Sequence, residues 1–305
     1  MKKILAIAIF MMALVHNAGA EEITLKFNCG DIKSLKQGSS DSVTFEYFVT
    51  KGDSESVTVI YDSELEKAFN GFEESLDISY SNGNLTVGMK ESARRWIRFR
   101  SSNHKPVKVY FEMDEISGLD LSGASVVYFT GEYTSNNLEI EMSGASKFAG
   151  PLNIKGNSME LDCSGAAKVS VHGDFENISI DASGASNINF SGNSVNLEGD
   201  FSGASKLYLD GSDNRTDIEC SGATDLEMNG EGKILILEAS GACKIDAKGY
   251  KVRNATVELS GASSAKLAVS DELKYNVSTA SKLTYFGNPK MTNLSTHQNV
   301  VQGSH

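Results

Sequence analysis

A chain of 305 residues with 40 acidic against 28 basic side chains carries a formal net charge of −12 at neutral pH. Such a field repels other polyanions, so nucleic acid and bare anionic lipid are not expected as partners; neutral glycans, cations and basic proteins are. Beyond one N-terminal stretch no apolar run is long enough to span a bilayer, so no transmembrane segment is expected in the mature chain.

The N-terminal stretch places Lys2 and Lys3 before an apolar run from Ile4 to Val15 and ends in Ala18-Gly19-Ala20. A charged start, an apolar run too short for an ordinary membrane helix and a small-residue site predict an export signal over residues 1–20, cleaved after Ala20. No Cys stands directly after that site to carry a lipid anchor. Residues 21–116 alternate like strands at Val43 to Val49, Val57 to Tyr61, Leu76 to Tyr80, Leu85 to Met89 and Val107 to Met113. A short helix is predicted from Ser63 to Phe72, capped by Ser63 with Glu64 and Glu66 near its start. This β-rich segment is expected to cap the C-terminal remainder of the chain, because a bare terminal coil would expose its apolar face and strand edge.

Within the cap, residues Arg94 to Arg100 hold four of the six arginines and the only tryptophan. A strand there would turn Trp96, Arg98 and Arg100 to one side and Ile97 and Phe99 to the other. Arg94, Arg95, Trp96, Arg98 and Arg100 are therefore a candidate binding patch for a sugar or an acidic partner. The competing reading is that the arginines pair with an acidic face of the chain itself.

From residue 117 to 287 the tripeptide Ser-Gly-Ala recurs, starting at Ser122, Ser143, Ser164, Ser183, Ser202, Ser221, Ser240 and Ser260, with a degenerate copy at Ser278. The intervals are 21, 21, 19, 19, 19, 19, 20 and 18 residues, which marks a stacked repeat. Before each Ser, apolar residues at minus one and minus three bracket a polar one at minus two, the period of a half-buried strand; after the motif a second alternating strand runs to a glycine. A unit this short cannot bury its apolar face alone, whereas copies stacked about 4.8 Å apart share one core. The prediction is an all-β, right-handed parallel β-helix of about nine rungs, with residues 288–305 as a C-terminal cap or tail. Gly supplies positive φ at the corner, Ala is expected to fit an inner corner, and the Ser, Thr, Ala or Cys at plus three is expected to face inward and bond backbone.

The minus-two residues form an acidic stripe: Asp120, Glu141, Asp162, Asp181, Asp200, Glu219, Glu238 and Glu258. Like charges one rung apart repel, so counter-ions, lysines, a glycan or a basic partner should gather there, unless the stripe only keeps the rod soluble and blocks lateral aggregation. Parallel side chains on a flat face do not converge on one point, so neither a metal nor another cofactor is expected. Cys163 and Cys220 share one inward position about 14 Å apart, too far for a disulfide, and all four cysteines are expected as free thiols. His104, His172, His297 and His305 fall in no catalytic motif, and repeated identical carboxylates are not an active site.

The chain also resembles a bacterial family, the putative auto-transporter adhesins with a head GIN domain. The likeness is carried by residues 52–59 (Gly-Asp-Ser-Glu-Ser-Val-Thr-Val), 85–90 (Leu-Thr-Val-Gly-Met-Lys), 118–125 (Gly-Leu-Asp-Leu-Ser-Gly-Ala-Ser) and 281–289, and runs from Ile32 to Pro289. It implies the same β-helix and supplies no catalytic motif. The expected function is an exported, non-enzymatic binding or structural module of the bacterial envelope or surface, contacting a glycan or surface protein or self-associating. The alternative is a polysaccharide-active enzyme on the same scaffold.

Overall fold

The computed structural model describes residues 22–39, 43–53, 55–69, 71–90, 105–294 and 299–303. It is almost wholly β, with 69% strand and 4% helix, arranged as a parallel β-solenoid of about ten turns. The chain divides into two compact units: one holds the described residues up to Ser135 with Glu139–Asn153, the other Asn136–Leu138 and the chain from Ile154 onward.

In the second unit the stacking follows the sequence period. The strands Asn177–Ala182, Ser194–Phe201 and Lys206–Cys220 pair in parallel, so that Ile180 lies on Gly199 and Gly199 on Ile218. The same column continues through Leu237, Val257 and Tyr275. Inward residues are almost completely shielded, with Leu209, Ile218, Leu226, Leu237 and Leu267 each 0% exposed. Each such side chain contributes roughly 1.5–3 kcal/mol relative to an exposed one. At the last rungs Lys290–Asn293 and Val300–Gln302 add two further parallel strands.

The first unit has parallel stacking of its own, with strands taken out of sequence order. Strand Ser34–Gln37 lies between Asn84–Met89 and Gly118–Leu121, and strand Phe45–Lys51 between Val107–Met113 and Val126–Thr130, all in parallel. Antiparallel strands close the outer side: Ser56–Asp62 pairs with Val107–Met113 and with Glu22–Asn28, and Leu76–Ser81 pairs with Asn84–Met89. Open parallel edges are thereby occupied. The predicted single helix is two, Ser63–Phe69 and Phe72–Ser75, separated at Gly71 with φ 117°. The N–H of Glu64 is bonded by Asp62 Oδ1 at 2.9 Å, so the residue before the expected cap does the capping.

The corners form as the composition demands, with one correction. The glycines of the motif adopt φ near +70°, as at Gly203 (70°), where a Cβ would lie 2.6 Å from Gly184 O on the rung below. The plus-three hydroxyls are inward: Ser146 Oγ and Ser186 Oγ donate to the carbonyls of Ser143 and Ser183, each at 2.8 Å. Ser205 Oγ and Thr224 Oγ1 are exceptions, with no hydrogen-bond partner among the described residues. The alanines, expected on an inner corner, face outward, Ala124, Ala145 and Ala204 all being exposed. The left-handed glycine throws the next residue to the convex side, and only plus three re-enters the core.

Candidate functional site

In the second unit the minus-two carboxylates stand in parallel register and edge a groove rather than a flat face. Parallel pairing sets Asp162 beside Asp181, Asp181 beside Asp200, Asp200 beside Glu219, Glu219 beside Glu238 and Glu238 beside Glu258. Five of these, Asp181, Asp200, Glu219, Glu238 and Glu258, line a groove of about 520 Å³ together with the serines that begin the next corners. None of the five is in an ion pair with a described residue. Lys206 and Lys244 sit across the corner instead, where they share Asp225 at 3.9 and 3.7 Å. The Glu219 carboxyl is held above its ordinary range by the like charges of Asp200, first, and Glu238. Of the carboxylates at minus four, Asp217 is neutralised by Arg215 at 2.8 Å.

In the first unit the stripe consists of Asp120 and Glu141, stacked in register. Beneath them the same position is held by Lys36, which pairs with Asp120 in register and by a salt bridge. The hydrogen bond and charge of Asp120, helped by Glu141, raise the Lys36 ammonium above its ordinary range. This basic end to the stripe lies in the segment without the Ser-Gly-Ala motif, so only the three-dimensional register reveals it.

A second feature of the second unit breaks the repeat. The rung from Ser240 has 20 residues and the one from Ser260 has 18. Their register slips between Ala247 and Lys251, where residues 248–250 have no counterpart, and again between Val252 and Asn254. Tyr250, in that insertion, turns inward to 0% exposure. Its hydroxyl fills the space left by Gly232, whose Cβ would lie 2.6 Å from it, and meets Thr216 Oγ1 at 2.8 Å and Asp213 Oδ2 at 3.0 Å. Ser194 Oγ donates to the other Asp213 oxygen at 2.5 Å. Asp213 is 5% exposed. Burial lifts its carboxyl above the ordinary range, against the hydrogen bonds of Ser194, Tyr250 and Thr216.

That shift has a testable sign. An acid whose folded pKa is raised penalises the fold once it ionises; the penalty is absent below the unfolded value of 3.8 and complete above the folded one. Asp213→Asn is therefore expected to raise the urea midpoint at pH 7, with the gain over wild type shrinking as pH falls toward 3.8. An offset that stays constant across that range would mean the carboxyl ionises as freely folded as unfolded.

Arg94, Arg95, Trp96, Arg98 and Arg100 lie outside the described residues, as does the export signal. Cys163, Cys220 and Cys243 are free thiols. Burial pushes the Cys163 and Cys220 thiols up to about 12. Among the described residues no group of three or more His, Cys, Asp or Glu could hold a metal ion, and no helix is long and apolar enough to cross a membrane.

Comparison with known proteins agrees with this architecture. A solved structure described as a putative adhesin from Parabacteroides distasonis superposes with a TM-score of 0.52 at 16% identity, over 93% of this chain and 97% of that one. A second putative adhesin, from Parabacteroides merdae, gives 0.48 at 15% identity, over 94% and 98%. A Parabacteroides distasonis structure described as a putative lipid binding protein gives 0.45 at 13% identity, over 94% and 98%. At 16% identity the first of these likenesses concerns the fold alone. No protein of curated function matches the sequence. The family model for the putative auto-transporter adhesin, head GIN domain, matches residues 40–196 and 180–289, and the chain belongs to that family.

Proposed function

We propose that the protein is an exported, non-catalytic binding module of the cell envelope or surface, and that its acidic groove holds an extended basic segment of a partner protein. The carrying observation is the file of unpaired carboxylates from Asp181 to Glu258 along the 520 Å³ groove. One carboxylate per rung gives a pitch of about 4.8 Å, whereas same-face side chains of an extended peptide recur about every 6.8 Å. Each basic side chain thus finds an acid within reach whatever the register, which suits a sequence-tolerant adhesin-like contact. Membership of an adhesin family and the Lys2-to-Ala20 signal pattern support export. The Arg94-to-Arg100 segment is a second proposed contact, on sequence grounds.

The test is titration of the whole mature chain with a decalysine peptide. The triple variant Asp200→Asn, Glu219→Gln, Glu238→Gln is expected to bind about tenfold more weakly, since three exposed ion pairs at roughly 0.5 kcal/mol each amount to that. Raising ionic strength should weaken the wild-type complex in parallel. Equal affinity of variant and wild type would remove the groove from the reading.

A further inference from the structure

A groove of about 640 Å³ runs past the 20-residue and 18-residue rungs, whose register slips beside it. Its volume falls within the roughly 300–1,000 Å³ typical of small-ligand sites. It shares no residue with the acidic groove. Lys233, Lys251 and Arg253 stand along it. Lys206, Lys244, Lys266, Lys274 and Arg215 of this unit each reach a carboxylate; these three, like Lys155, Lys168, Lys248, Lys282 and Lys290, reach none among the described residues. Register puts Lys233 and Arg253 side by side on adjacent rungs, because Gly232 pairs with Val252 and Ile234 with Asn254. Two like charges about 4.8 Å apart on an otherwise acidic protein favour an anion that bridges them.

The floor decides what the anion is attached to. Val252, Val269 and Phe286 underlie the groove but are only 3%, 2% and 8% exposed. These three side chains therefore offer an acyl chain little to bury, at about 0.8 kcal/mol per buried methylene. A sugar ring needs less, since its C–H face rests on a small apolar floor and its hydroxyls meet flanking polar groups, here Ser212, Ser270 and Asn288. Among the residues lining the groove Glu231, in register beside Lys251, is the one exposed carboxylate, Asp213 being buried, so three cations stand against one exposed acid. We propose that this groove binds an acidic oligosaccharide, with Arg253, Lys233 and Lys251 pairing its sugar carboxylates. The guanidinium of Arg253 supplies a two-pronged contact that fits a carboxylate.

The test is calorimetric titration of the whole mature protein with trigalacturonate, maltotriose and laurate at low salt. Trigalacturonate is expected to bind and maltotriose not to. The double variant Lys233→Gln, Arg253→Gln should lose at least about tenfold in affinity, the loss of two charge-assisted hydrogen bonds. A charge-matched control, Lys168→Gln with Lys282→Gln, should stay within about twofold, because surface charges away from a site add little. No binding of trigalacturonate, equal losses in both double variants, or tighter binding of laurate would each overturn the proposal. Since decalysine binding is read at other residues, either result can fail without the other.

Discussion

Replacing Gly211 with alanine is expected to destabilise the solenoid by about 4 kcal/mol or more, at the far end of what single substitutions do. At the second corner Gly173, Gly192, Gly211 and Gly230 stack rung on rung. A Cβ on Gly211 would lie 1.7 Å from Gly192 O, and one on Gly192 would lie 1.9 Å from Gly173 O. The atom in the way is main chain, held by its own ladder: Gly192 N–H donates to Asp210 O and Gly173 N–H to Ser191 O, each at 2.9 Å. Relief therefore requires two rungs to part, which breaks inter-rung hydrogen bonds and opens the core beneath them. Gly150 is the control, since a Cβ there meets nothing within 4 Å. Gly150→Ala should leave the urea midpoint unchanged or raise it by an amount worth up to about 1 kcal/mol, through the unfolded chain's lost freedom. If the two variants unfold at the same urea concentration, the stacked carbonyls do not have the spacing described.

Such corners are legible in the sequence because they depend on one residue at a time. The positive φ at Gly203 and the outward acids at minus two both arise from local chemistry repeated at a fixed interval. Composition alone misplaces the alanines, because the direction taken after a left-handed residue is a property of the corner rather than of the alanine. Features that depend on how unlike rungs fit together are not legible in this way. Lys36 continues the acidic column only because strand Ser34–Gln37 is inserted out of sequence order. The basic groove lies along rungs of unlike length, whose register slips between Ala247 and Lys251. Its trace in the sequence is the pair of irregular intervals, 20 and 18, which state that the repeat breaks without saying what the break exposes.

One irregularity in the core can be read in both sequence and structure, and it supports a double-mutant cycle with large terms. Where the rungs below and above carry Ile180 and Ile218 at minus three, this rung carries Gly199; where they carry Ala182 and Cys220 at minus one, it carries Phe201. The exchange is one of volume, because the Phe201 ring lies across the glycine, its Cε2 2.7 Å from where a Cβ would stand. Phe201 is 2% exposed, so Phe201→Ala leaves a cavity worth roughly 3–5 kcal/mol. Gly199→Ile alone drives a branched side chain into that ring and should cost about 1–3 kcal/mol or more. The double variant reproduces the Ile180 and Ala182 pattern of the adjacent rung, so it should recover to within about 1.5 kcal/mol of wild type, as volume-conserving swaps do. The resulting coupling, several kcal/mol between two residues of one rung, is large for neighbouring side chains. Additive losses in urea unfolding would mean that the glycine and the ring do not share one space, and that each rung fills its core independently of the pairing seen here.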